Sequence, residues 1–76
     1  MKDVLEHIAK ALVDNPDAVV VTQDEGDRGT VLRLQVDPDD MGKVIGRGGR
    51  TARAIRSVMK AAAIKADARI HVEIVD

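Results

Sequence analysis

A chain of 76 residues can bury one core, and a core of that size withdraws only about 60% of the unfolded surface from water. Cysteine and all three aromatic residues are absent, which excludes disulfides, thiolate metal sites and any platform that holds bases by aromatic stacking. The formal charge of −1 argues against an anionic partner until its distribution is read: seven of the 12 lysines and arginines (Lys43, Arg47, Arg50, Arg53, Arg56, Lys60 and Lys65) lie between Met41 and Ala66 with no acid among them.

Residues 3 to 14 place Val4, Leu5, Ile8, Ala9 and Leu12 at three- and four-residue steps, which predicts an amphipathic helix. Asp3 with Glu6 three residues on reads as a capping pair, and Asn15-Pro16 ends the helix because the residue before proline is pushed out of the α region. The β-branched run Ala18 to Gln23 predicts a strand. Thr30 to Val36 predicts a second, with Leu32, Leu34 and Val36 alternating against Val31, Arg33 and Gln35. The polar, glycine-punctuated segment between them makes the pair a hairpin.

Asp37-Pro38 opens a short helix reaching about Ile45, with aspartate as the cap and proline at the first helical position. It ends in Gly46-Arg47-Gly48-Gly49. A longer helix from about Arg50 to Lys65 puts Arg50, Arg53, Arg56 and Lys60 in one sector and turns Ala52, Ile55, Val58, Met59, Ala62 and Ala66 inward. Ile64 projects near the cations, where a core gives it no reason to be. Arg69 to Val75 alternates Ile70, Val72 and Ile74 against polar residues and predicts the last strand. The order α-β-β-α-α-β predicts an α+β fold, a three-stranded sheet with helices on one face, and a single domain over residues 1–76. No apolar run approaches the roughly 20 residues of a membrane span and no signal-peptide stretch follows Met1, so the expected compartment is the cytoplasm.

The chemistry concentrates at the glycine turn. Glycine adopts positive φ without steric cost and leaves main-chain N–H groups uncovered, and the first amides of a helix have no internal partner. Amides at a helix start, beside Arg47 and Arg50, favour a phosphate; a phosphodiester strand would also use the cations further along.

At these residues the chain resembles the KH family of RNA-binding domains: an apolar pair (Val44-Ile45), a Gly-x-x-Gly turn (Gly46-Arg47-Gly48-Gly49), then a helix with an aliphatic residue inside (Ile55). The order of elements resembles the type II, bacterial arrangement, and over nearly the whole length the chain is similar to the small single-domain KhpA family. The resemblance implies binding of single-stranded RNA, about four nucleotides per domain. It implies Gly46 and Gly49 shaping the turn, Arg47 and Gly48 at its tip, and Lys43, Arg50 and Arg53 on phosphates. Val44, Ile45, Ala52 and Ile55 with a strand edge would make the groove for bases. It further implies a chaperone-like RNA binder that forms a homodimer, works with a larger KhpB/Jag-type KH protein and serves cell elongation and peptidoglycan homeostasis. Gly48 departs from the more usual polar residue at the second variable position, which loosens the turn.

Other readings of these residues fail on spacing. A P-loop would need glycine at Val44 and lysine at Arg50, and a dinucleotide fingerprint would need glycine at Thr51. Asp37-Pro38-Asp39-Asp40 opens like a calcium loop, but Met41 and Gly48 occupy ligand positions five and twelve, so helix capping accounts for the carboxylates. His7 and His71 have no paired spacing for zinc, and Ser57, the sole serine, has no histidine nearby in sequence, so no metal, cofactor or enzymatic activity is expected. Two rival functions stay open: a module that dimerises or docks a protein partner, and a ribosome-associated assembly factor.

Overall fold

The architecture is that of a computed structural model in which residues 1–75 are described. Helix α1 (Lys2–Leu12) leads through a 3-10 turn at Pro16–Ala18 to strands β1 (Val20–Gly26) and β2 (Gly29–Gln35). A second 3-10 turn at Pro38–Asp40 runs into α2 (Met41–Ile45), a third at Arg47–Gly49 into α3 (Arg50–Lys65), and β3 (Ile70–Val75) closes the fold. The sheet order is β1-β2-β3, with β1 antiparallel and β3 parallel to the central strand.

Residues opposite each other across a ladder share a face of the sheet. Val21, Leu34 and Ile74 stand in line, as do Leu32 and Val72, and this face meets Leu5 and Ala9 of α1, Val44 of α2, and Ile55 and Met59 of α3 in one cluster. All three helices therefore cover the same side. Leu5, Leu32 and Leu34 are completely buried, each stabilising the fold by about 1.5–3 kcal/mol relative to exposure. The opposite face carries Thr22, Arg33 and Glu73 in register, with Arg33 Nε donating to Glu73 Oε2 at 3.1 Å and Nη1 paired with Asp24. Charges in water hold that face at little net energy.

Several boundaries differ from the sequence reading. Helix α1 starts at Lys2 with Met1 before it and no side-chain cap, so Asp3 sits in the first turn, where its charge meets the helix dipole. The helix ends at Leu12 because Val13 turns extended and enters the core. Pro16 takes Asp17 and Ala18 into a 3-10 turn, so β1 begins later than expected. It then runs on through Asp24 and Glu25 to Gly26, since an edge strand tolerates charge and the ladder continues to the Gly26–Gly29 pair. Within α3 the buried stripe is Ala52, Ile55, Met59 and Ala63, and Val58, expected inside, is 51% exposed. That stripe steps by three and four residues and leaves Val58, and Ala66 just past the helix end and also expected inside, on its exposed side.

Candidate nucleic-acid interface

Helix α2 is one turn long and closes with Gly46 N–H donating to the Gly42 carbonyl at 2.9 Å. Gly46 then swings the chain at φ 74°, ψ 170°, and its carbonyl accepts the Gly49 N–H at 3.1 Å. A side chain at Gly46 would collide with Thr51, whose backbone nitrogen lies 2.8 Å from the position of the added carbon. Gly48, also left-handed at φ 65°, has nothing within 4 Å of that position. The first glycine is thus a packing requirement, and the tip glycine faces open space. No side chain caps α3, so its opening amides meet no acceptor from the protein's own side chains.

Around this turn Arg47, Gly48, Arg50 and Arg53 are exposed, and Ile45, Gly46 and Gly49 are half-buried. Among the described residues no ion pair engages Arg47, Arg50 or Arg53, so three guanidinium groups stand uncompensated beside bare backbone. Four of the expected contacts take other places. Val44 and Ile55 are 0% and 3% exposed, so neither side chain can meet a base; both belong to the core beneath the turn. Ala52 is buried with them.

Lys43 is the fourth. Its Nζ lies 3.0 Å from Asp14 Oδ2 and 3.5 Å from Asp40 Oδ1, so its charge already has partners within the protein. The pairing with Asp14 first, then with Asp40, raises its pKa above the ordinary lysine value. Asp40 is 3% exposed and is the buried charged residue of the described chain. Its carboxylate accepts the Asn15 N–H at 3.0 Å, and that bond, with further help from the Asp14 amide and Lys43, holds its pKa below the ordinary carboxylate value despite burial.

Arg56, read from the sequence only as part of a charged stripe, has a more specific place. Its Nε donates to the Val72 carbonyl at 3.3 Å, laying the guanidinium from α3 across to the open edge of β3. Beyond it a groove of about 410 Å³ runs between the two elements, lined by Arg56, Lys60, Ala63, Ile64, Ile70 and Val72. Ile64, 69% exposed, forms its rim. The cationic stripe of α3 therefore leads from the glycine turn to an apolar-floored groove at a strand edge. A second hollow of about 540 Å³, at the hairpin end, has a mixed lining in which Asp24, Glu25 and Asp27 outnumber Arg28 and Arg69, which suits a phosphate less well.

Comparison with known proteins gives a consistent result. The family described as KhpA/KhpB, KH domain, matches residues 2–74. The chain is 56% identical over 75 residues to the RNA-binding protein KhpA of Clostridium acetobutylicum, covering 99% of this chain and all of that one. It is 53% identical over 76 residues to the protein of the same name from Halalkalibacterium halodurans, across the full length of both. It is 47% identical over 76 residues to that from Aquifex aeolicus, covering all of this chain and 96% of the other. No solved structure matches it significantly.

Proposed function

The chain belongs to the KhpA/KhpB family of KH domains, and on that premise we propose that it is an RNA-binding protein, acting as a single domain that grips single-stranded RNA at the Gly46-Arg47-Gly48-Gly49 turn. The observation that carries this reading is the turn itself: left-handed backbone open at Gly48, beside three guanidinium groups with no partner among the described residues. Arg47, Arg50 and Arg53 neutralise phosphates, and Gly46 and Gly49 keep the backbone close enough for its amides to contribute. Bases lie over Ile45 and along the groove toward Ile64, held by aliphatic contact. Without aromatic stacking, which is worth about 1–3 kcal/mol per base elsewhere, one domain binds modestly. A homodimer offsets this by making the second contact intramolecular.

On the same family reading the protein works by binding rather than catalysis, in the cytoplasm, as an RNA chaperone with a KhpB/Jag-type partner in the control of cell elongation and peptidoglycan homeostasis. No helix among the described residues is long and apolar enough to cross a membrane, which is compatible with that compartment. A second reading, a module that docks a protein, draws on the exposed Val58 and Ile64. Aspartates at Arg47 and Gly48 separate the two. RNA retention is expected to vanish while circular dichroism and oligomeric mass stay unchanged, and retention that persists would sink the assignment of the turn.

A further inference from the structure

A helix of one turn cannot hold its own position, because nucleation costs more than a single hydrogen-bonded turn returns. The direction in which α2 delivers Gly46 is therefore set by what anchors it. One anchor is apolar: Val44, fully buried, with Met41 and Ile45 packed partly buried against the same core. Apolar contact is non-directional and by itself tolerates small rotations of so short a helix.

The other anchor is polar and joins segments far apart in the chain. After α1, the connector residues Asp14 and Asn15 lie outside the ladders and must satisfy their backbone groups elsewhere. The Asp40 carboxylate accepts the Asn15 N–H at 3.0 Å, and the Asn15 side-chain amide donates to Asp37 Oδ2 at 3.1 Å. Asp37 in turn accepts the Asp39 N–H at 3.0 Å and starts the turn into α2. Lys43 closes the set by bridging Asp14 and Asp40 from within α2, three residues before Gly46.

We infer that Asp40 and Lys43 are positioning residues for the RNA turn: they lock the entry of α2 to the α1 connector and so aim the Gly46–Gly49 backbone, while Lys43 itself contacts no phosphate. The inference rests on the RNA reading above. It reassigns a lysine that stands within the binding motif from ligand contact to scaffold. It also gives a use to a buried carboxylate that the binding chemistry does not need.

Salt dependence separates the two roles, because a side chain that neutralises a phosphate of single-stranded RNA steepens the fall of log K against log salt by about 0.7, and its removal flattens the slope by the same amount. The full chain and its variants Lys43→Met, Lys43→Arg and Asp40→Asn are titrated with an oligouridylate across a salt series, well below their melting temperatures. The expected result for Lys43→Met is severalfold weaker binding with the wild-type slope, and recovery in Lys43→Arg, whose guanidinium can still bridge two carboxylates. Amide shifts of Gly46, Gly48 and Gly49 should move in Lys43→Met and Asp40→Asn, and those of Gly26 and Gly29 should not. A slope flatter by one phosphate in Lys43→Met would overturn the inference. So would Asp40→Asn melting at a lower temperature with wild-type affinity and undisturbed turn amides, which would reduce the cluster to a purely structural role. Failure of the wild-type chain to bind, or binding retained by the Arg47→Asp/Gly48→Asp variant, would instead count against the RNA reading.

Discussion

The protein contains two turns of the same spelling, Gly26-Asp27-Arg28-Gly29 and Gly46-Arg47-Gly48-Gly49, and they do opposite work. In the first the glycines pair across the end of a hairpin, and Gly29 is needed because an added carbon would lie 2.6 Å from the Arg69 carbonyl oxygen. Its ends are tied down, with Gly26 paired to Gly29 and the Thr30 N–H donating to the Arg69 carbonyl at 2.9 Å, and the charges around it are mixed: Asp24, Glu25 and Asp27 with Arg28 and Arg69. In the second, one glycine is likewise forced by a neighbour, but the tip at Gly48 is open and the surrounding charges are positive. Spacing of glycines alone therefore says little. What distinguishes the two is the surrounding charge, mixed at the hairpin and, at the second turn, three guanidinium groups with no ion-pair partner among the described residues.

That contrast can be broken most severely by reversing charge at the open tip. Arg47→Asp with Gly48→Asp should reduce RNA retention in a filter-binding assay to background, whereas Asp27→Lys at the hairpin should leave it near wild type. Next in size, Gly46→Ala forces a side chain against Thr51 at positive φ; it should lose about 1–3 kcal/mol in urea unfolding and bind RNA poorly even when folded. Gly29→Ala sharpens the difference: a comparable stability loss is expected from the clash with Arg69, with the affinity of the folded protein unchanged. If Gly29→Ala weakened RNA binding as much as Gly46→Ala, the two turns would not be functionally distinct.

Smaller effects concern charge. With Arg47, Arg50 and Arg53 on phosphates, log K should fall against log salt with a slope of about −2, and a flat profile would contradict the electrostatic assignment. Smallest is the acid limb of stability. Because the Asp40 pKa is lowered on folding, its contribution is present above the ordinary carboxylate value near 4 and is lost as pH falls through the folded value. Asp40→Asn should therefore be less stable than wild type at neutral pH and lose less on acidification. The Lys43 contribution runs the other way, present at neutral pH and lost only at alkaline pH above the ordinary lysine value.

The periodic signals make most of the fold legible. The apolar stripe and the preceding glycines mark both the face and the start of α3, and the helix runs over Arg50 to Lys65 as that pattern predicts. The Asp37 cap is readable from Asp-Pro, and its carboxylate does accept the Asp39 N–H. What cannot be read depends on tertiary contact. Val44 and Ile55 have the side chains of a base groove, but three helices share one sheet face and draw them into the core. Lys43 looks like its cationic neighbours until the α1 connector brings Asp14 to it, a meeting with no local trace in the chain. Arg56 reveals its bond to Val72 only once β3 is laid beside α3.

The most direct test of the central claim is amide chemical-shift mapping of the full chain with a short oligouridylate. The largest changes are expected on Gly46 through Arg53, extending toward Arg56 and Ile64 along the groove, with Gly26 through Gly29 unmoved. Perturbations centred on the outer sheet face or the hairpin, with the amides of residues 46 to 49 undisturbed, would contradict it.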